Sequence, residues 1–247
     1  MTVATEVASG RVALVTGGGR RIGAAIARAI GARGYRVAVH YNSSADEAAH
    51  VVNEIVAAGA EAHAFGADLR DSEAVMSLIA SVADHFGRLD LLVNSAASML
   101  RTPMGEVTPK EWDDIIALNL RAPFFASQAA AKRMGDGGLI VNMADLAAFE
   151  HWPSYIPHSI AKAGVVHLTE SLARSLAPRI RVNAIAPGVV LLPQGWSDDD
   201  ARRLASTTPL ARNGSPHDVV TALLYLVDAD FVTGEVLIVD GGRRVRR

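Results

Sequence analysis

Short apolar runs recur along the chain at 12–15, 36–40, 62–65, 89–93, 138–142, 181–185 and 236–239. Between them, apolar residues at helical spacing mark longer stretches at 21–33, 45–58, 71–86, 109–135, 155–177 and 216–227. Strands joined in succession through helices run parallel, so this alternation leaves few folds open. The runs are apolar on both sides, as burial on both faces of a sheet demands. The expectation is an α/β fold: a doubly wound, Rossmann-type sheet of seven parallel strands with helices on both faces. No linker, repeat or low-complexity block interrupts it, and residues 1–247 read as a single domain. Residues 1–10 read as a frayed end, and 191–210 as a substrate-side loop with a short helix, in the place of a lid.

Composition bounds what such a fold can serve. Apolar residues make up 50% of the chain and charged ones 20%, enough to bury a sizeable core. A net charge of −2, with no basic stripe before the tail Arg243-Arg-Val-Arg-Arg247, argues against a nucleic-acid partner. That tail reads as a solvated terminus. No apolar run is long enough to span a bilayer, and the leader has neither the basic nor the apolar part of a signal. The chain has no cysteine, which removes disulfides and thiolate chemistry and fits a cytoplasmic protein. Its histidines lack ligand spacing, so no metal site is expected. The partner that remains is a small molecule.

The first strand runs into Thr16-Gly-Gly-Gly-Arg-Arg-Ile-Gly23 and then a helix. Glycines there permit a tight turn and close approach of backbone N–H groups to a pyrophosphate, which a helix N-terminus also attracts. Gly17, Arg20, Arg21 and Ile22 are therefore cofactor-binding candidates. The second strand ends at His40-Tyr-Asn-Ser-Ser44, with no carboxylate to bind ribose hydroxyls. Arg20 offers a cation and Asn42, Ser43 and Ser44 offer donors, which suits the extra phosphate of NADP or NADPH.

Further along, Pro157 fits only the first turn of the helix at 155–177, and Pro178 marks its end. His158 and Lys162, at i and i+4, share a face, and Tyr155 reaches it if the first turn is regular. A proton-donating ring beside a lysine is how a carbonyl or imine is polarised for hydride attack.

With these pieces in place, the chain resembles the short-chain dehydrogenase/reductase family over essentially its whole length. The matching motifs are the turn at 16–23, Ala67-Asp68-Leu69, Asn94-Ser-Ala-Ala97, Asn119, Pro187-Gly188 and Val239-Asp-Gly-Gly242. The resemblance implies that Asp68 and Leu69 contact the adenine and that Asn94, Ser95 and Ala96 lie along the cofactor. It implies that Pro187 and Gly188 support the nicotinamide and that Lys162 bonds its ribose. It implies that Asn119 kinks its helix and holds a water linked to Lys162. A homotetramer is also implied, with the helices at 109–135 and 155–177 on one dimer face.

Arg21, where most members have glycine, and Asp145, where most have serine, resemble the pteridine reductases and related dihydromonapterin/dihydrofolate reductases. There the arginine reaches substrate and cofactor phosphate, and the aspartate gives a proton to a ring nitrogen. His40-Tyr41 and Thr102-Pro103 match that group as well. Ala97 and Met99 depart from it, standing where those enzymes have a hydrogen-bonding serine and a stacking phenylalanine.

The larger departure is that the family's YxxxK reads His158-Ser-Ile-Ala-Lys162. Positive neighbours and burial disfavour an imidazolium, so His158 is expected neutral: able to polarise a carbonyl, feeble as a proton donor. Three arrangements would supply the proton: Asp145 with a carboxyl raised by burial, Tyr155 swinging in, or His158 relaying through water held by Asn119 and Lys162. The catalytic set is thus Asp145, His158, Lys162 and Asn119, with Arg21, Met99, Asp145, Phe149, Tyr155, Leu192 and Trp196 on the substrate side. The expected activity is NADPH-dependent hydride transfer to a pterin- or dihydrofolate-like C=N or C=O substrate. The alternatives are a general carbonyl or 3-oxoacyl reductase, and a catalytically silent NADPH-binding protein marked by the lost tyrosine.

Overall fold

The computed structural model describes residues 10–191 and 197–245, and the expectations for the leader, for Leu192 and Trp196 and for the last two tail residues lie outside these. All the expected strands form: β1 (Val12–Val15), β2 (Arg36–Tyr41), β3 (Ala62–Gly66), β4 (Leu89–Asn94), β5 (Met134–Met143), β6 (Ile180–Pro187) and β7 (Val236–Val239). They make one seven-stranded sheet in the order β3-β2-β1-β4-β5-β6-β7, every pair parallel. The helices are α1 (Arg21–Ala32), α2 (Ala45–Ala57), α3 (Ser72–Phe86), α4 (Pro109–Ile116), α5 (Ala122–Ala131), α6 (Ile156–Leu176), α7 (Asp198–Ser206) and α8 (Pro216–Asp228). None of the helices is long and apolar enough to cross a membrane, among the described residues.

Strand pleating explains why the runs are continuously apolar. Ala13, Val15, Val37 and Val39 enter one core with Ile26 and Ile30 of α1 and Leu223 of α8. Their neighbours Val12, Leu14 and Ala38 enter the opposite core with Val75 and Ile79 of α3 and Ala126 of α5. Successive side chains point to opposite faces, so a strand covered on both sides is apolar at most positions, and a polar residue there needs a buried partner.

The stretch at 109–135 is not one helix. A π-helical segment, Ala117–Arg121, joins α4 to α5, and α5 ends at Ala131. Pro123 stands at the start of α5, where it has no N–H to give to the preceding turn. A wider turn absorbs that loss, and π segments commonly appear at such points. Beyond it, Gly135, Gly137 and Gly138 disfavour a helix, and Met134 pairs with Leu89 as the start of β5.

Beneath the carboxyl ends of β4 and β5 lies a buried polar chain. Asn94 Nδ2 donates to Asn142 Oδ1 at 2.8 Å and to Ser127 Oγ at 3.3 Å. Asn142 Nδ2 donates to Thr169 Oγ1 at 3.0 Å, and that hydroxyl donates to the Val165 carbonyl at 2.8 Å. The chain fastens two strands to α5 and α6, directly under the position of the lysine on α6. An Asn142→Ala substitution orphans Asn94 and opens a hole, so unfolding free energy falls by about 3 kcal/mol. Urea titration checks this; an unshifted midpoint would remove the network from any account of stability.

Candidate active site

The strand order reverses between β1 and β4, and in sheets of this kind a crevice opens at the carboxyl ends of the strands on either side of the reversal. Thr16, at the end of β1, accepts the N–H groups of Ser95 and Ala96 at 2.9 and 3.0 Å. Gly17 follows at φ +65°, and a Cβ there would lie 3.0 Å from Ala96 Cα. A Cβ on Gly23 would lie 2.1 Å from the Gly17 carbonyl oxygen, so the first turn of α1 can close on the loop only through glycine. Arg21 sits at φ 51°. That left-handed region costs a residue with a side chain about 1–2 kcal/mol, and glycine nothing comparable.

Outside this turn, a concavity of about 590 Å³ lies between the starts of α1 and α2, lined by Arg20, Arg21, Arg28, Asp46 and Glu47. Arg20 is only loosely held, its Nε 3.8 Å from Glu47 with both side chains more than half exposed. Exposed Asn42 and Ser43, with Ser44 before α2, complete a rim of donors. The backbone turn, the helix start and the Arg20 cation, with no carboxylate at the end of β2 itself, fit a dinucleotide carrying an extra phosphate.

Other expected cofactor contacts are corrected in their side chains. Leu69 is buried among Val75 and Leu78, and Ile22 packs on the core of α1. Tyr41 lies on Gly66, where an added Cβ would meet its ring at 3.0 Å. Asn94 is spent in the polar chain described above. For the two apolar residues, burial in the core outweighs anything a solvent-facing crevice offers. The Asp68 carboxylate is taken by Arg70 at 2.6 Å, which holds it below the ordinary carboxylate range. His40 is 2% exposed and bonds the backbone of Gly17 and Ala67. Pro187 closes β6, and Gly188 lies so near β7 that a Cβ would be 2.9 Å from Asp240 Cα.

On the other side of the crevice, β5 delivers Met143 and Asp145, and α6 delivers His158 and Lys162. His158 is buried, its Nε2 2.7 Å from Asp145 Oδ2 and its Nδ1 3.1 Å from the Ser98 carbonyl oxygen. His158 Nε2 thus faces a carboxylate, and Nδ1 faces the Ser98 carbonyl with the Asn119 amide Nδ2 3.5 Å away. Asp145 Oδ1 also accepts the N–H of Ala147 at 2.9 Å. Burial pushes the Asp145 carboxyl up, but the His158 bond, the Lys162 charge and the Ala147 N–H together outweigh it and hold it below the usual carboxylate range. The expectation of a raised carboxyl is overturned, because partners on three sides win over desolvation. The reasoning that left His158 with only positive neighbours likewise missed that Asp145 is bonded to it.

Lys162 Nζ donates to the Met143 carbonyl at 2.6 Å. Burial lowers the ammonium's pKa, and the charge of Asp145 opposes that shift. Asn119 stands in the π segment, and its amide is engaged with Ser98. Its Oδ1 accepts the Ser98 N–H at 2.9 Å and its Nδ2 donates to the Ser98 carbonyl at 2.8 Å. The amide therefore clamps the very carbonyl that receives His158. Ser98 and Met143 act through backbone oxygens, which side-chain reading cannot find.

The substrate-side expectations separate. Met99 is 55% exposed on the loop after β4. Tyr155 precedes α6, bridges to Thr102 and sets its ring edge-on to Trp152, with no hydrogen bond to Asp145, His158 or Lys162. Phe149 does not join them. It packs under the Arg244 guanidinium and helps line a second cavity of about 410 Å³ with Trp152, Ile156, Ser159 and Ile160. That cavity faces a different side of α6 from His158 and Lys162.

Comparison with known proteins bears on what this crevice is. A profile of the family described as enoyl-(acyl carrier protein) reductase matches residues 18–244. The 3-oxoacyl-[acyl-carrier-protein] reductase FabG of Staphylococcus aureus is 37% identical over 237 residues, covering 93% of this chain and 96% of that protein. A dehydrogenase/reductase from Sinorhizobium meliloti superposes with a TM-score of 0.91 at 38% identity, covering 97% of each chain. A blue fluorescent protein from a metagenomic library, solved in complex with NADPH, superposes with a TM-score of 0.91 at 34% identity, covering 96% of this chain and 99% of that one. With its reversed strand order, its glycine turn and a lysine on α6 at the same crevice, the chain belongs to the short-chain dehydrogenase/reductase family of oxidoreductases.

Proposed function

We propose that this protein is an NADPH-dependent reductase of carbonyl compounds, of the 3-oxoacyl thioester class. The observation that carries the reading is the closure of Asp145 and Ser98 on the two nitrogens of His158, one helical turn from Lys162. Likeness to a 3-oxoacyl reductase and to an NADPH-bound structure supports the substrate class and the cofactor. Arg20, the turn amides from Gly19 onward and the Asn42–Ser44 donors would hold the dinucleotide, and Lys162 its nicotinamide end.

When bound, NADPH supplies a hydride. Everything else is position and one proton. The substrate carbonyl takes hydride on carbon and a proton on oxygen, becoming an alcohol. That proton is the one shared by His158 Nε2 and Asp145 Oδ2, because Nδ1 is committed to Ser98 within the fold. Asp145 is the open end of the pair, its side chain 23% exposed against 2% for His158. The carboxylate keeps the ring oriented, and Asn119 fixes the carbonyl on the other side.

A second reading, reduction of a pterin- or dihydrofolate-like ring, is favoured by Asp145 and by the strained Arg21. Exposed Met99 gives such a ring no aromatic stacking partner, and Ala97 offers it no hydroxyl. The ketone reading is the stronger one. We further propose a homotetramer, since Trp112, Phe124 and Ile160 leave 39%, 40% and 46% of their surface exposed on α4, α5 and α6. Light scattering that returns a monomer ends that assignment.

NADPH oxidation is expected with an acetoacetyl thioester and not with dihydrobiopterin; the reverse outcome selects the pterin reading. His158→Phe is expected to lower kcat by about 10²–10⁴-fold, the usual span of acid–base catalysis, with KM little changed. Undiminished turnover would exclude the pair from chemistry.

Because Asp145 titrates lower in the folded protein than its unfolded value of 3.8, its stabilisation is complete above about pH 4 and is lost as pH falls through the folded value. Urea stability of wild type minus that of Asp145→Asn should therefore stay level from about pH 7 to 5 and shrink below 4. A difference that grows on acidification contradicts an ionised carboxylate.

A further inference from the structure

His40 ends the buried part of β2 with a ring that faces inward, away from the crevice. Its Nδ1 accepts the backbone N–H of Gly17 at 3.0 Å, and its Nε2 lies 3.0 Å from the Ala67 carbonyl oxygen. A protonated nitrogen cannot accept and a carbonyl cannot donate, so these contacts admit one form: bare Nδ1 and protonated Nε2. The backbone ties the same three segments together. The Gly18 N–H donates to the His40 carbonyl at 2.9 Å, and the Ala67 N–H donates to the Tyr41 carbonyl at 3.0 Å. The ring thus straps the turn after β1 to the segment after β3 that leads into Asp68. At φ +65° and packed on Ala96, Gly17 has no room to find another partner if the strap is cut.

We propose that His40 is a positioning residue that sets the phosphate-binding turn through a single neutral tautomer, so that proton uptake by its ring loosens the turn and weakens dinucleotide binding. The inference rests on the NADPH reading above. A second proton on the ring would point an N–H at the N–H of Gly17, a repulsion inside a buried site. Burial lowers the ring's pKa, while the Ala67 bond and the charge of Asp68 work the other way. Asp68 is the charged group that faces the ring from the segment after β3, and Arg70 already neutralises it. β1 is wholly apolar, and Arg20 and Arg21 of the turn extend into solvent. Arg36 lies at the far end of β2. The loss therefore belongs to acid pH, below the ordinary histidine value of 6.5.

Calorimetric Kd values for NADP⁺ at about pH 7.5 and 4.5 test the proposal on the full chain, wild type against His40→Asn and His40→Leu. Asparagine keeps an acceptor where Nδ1 stands but does not titrate; leucine keeps none. The ligand's 2′-phosphate titrates near pH 6 for all three proteins, so the ratio between proteins is the quantity read. Wild type should lose about fivefold more affinity than His40→Asn across that range. At the higher pH, His40→Asn should bind within about threefold of wild type and His40→Leu about tenfold more weakly. Parallel profiles for wild type and His40→Asn, or undiminished binding by His40→Leu, overturn the proposal. If wild type binds no NADP⁺ at all, the cofactor reading fails. The strap is then decided by hydrogen exchange at the Gly17 amide of the free protein. Protection at the higher pH, lost in His40→Leu and kept in His40→Asn, supports it, and equal exchange in all three refutes it.

Discussion

A parallel sheet covered on both faces can expose its backbone only at the strand ends, and that constraint places everything else in this molecule. β1 and β4 are neighbours in the sheet although two strands separate them in the chain, so helices leave their carboxyl ends toward opposite layers. The gap between those departures is where Thr16, Gly17, Ser95 and Ala96 meet through bonds of about 3 Å. No apolar side chain can fill it, because the backbone groups there need partners. What remains is a polar notch at the edge of an otherwise dry sheet, and it is into this notch that β5 and α6 bring their charged residues.

The path from local sequence to that chemistry runs through a defect. Pro123 cannot complete an ordinary helical turn, and the chain widens into a π segment at Ala117–Arg121. Asn119 in that segment turns both ends of its amide to the backbone of Ser98. The loop after β4 is thereby held at a fixed height, and its carbonyl oxygen becomes the seat for His158 Nδ1. A straight helix would carry the amide round to a different direction. The proline is thus coupled to the orientation of the imidazole, two steps away, without touching it.

Elements whose signal is repeated over many residues were legible in the chain. All seven strands lie within a few residues of where the apolar runs put them, since two-sided burial leaves a mark at each position. Single side chains were legible only where nothing else competed for them. Arg20 and Asn42 stand at the rim as expected because they have no core to enter. Leu69 and Tyr41 turned inward because they do, and Asn94 because a buried amide elsewhere needed a partner. Asp145 and His158 were each singled out, but their direct bond was not: thirteen residues and a chain reversal separate them, and neither periodicity nor spacing measures that distance. Contacts made through the carbonyls of Ser98 and Met143 leave no trace in residue type at all.

The pairing of Asp145 with His158 has a cause in the lysine beside it. Lys162 is 4% exposed, and a buried ammonium is costly unless an anion is near. A phenol on this face could provide that anion itself, because a lysine stabilises its deprotonated form. Histidine cannot; every charge it takes on is positive. A protonated His158 beside Lys162 would therefore leave two cationic groups sharing a dry site, which at close range in a low dielectric is untenable without an anion. Asp145 restores the balance: its charge opposes the desolvation of Lys162, and its Oδ2 lies 2.7 Å from His158 Nε2.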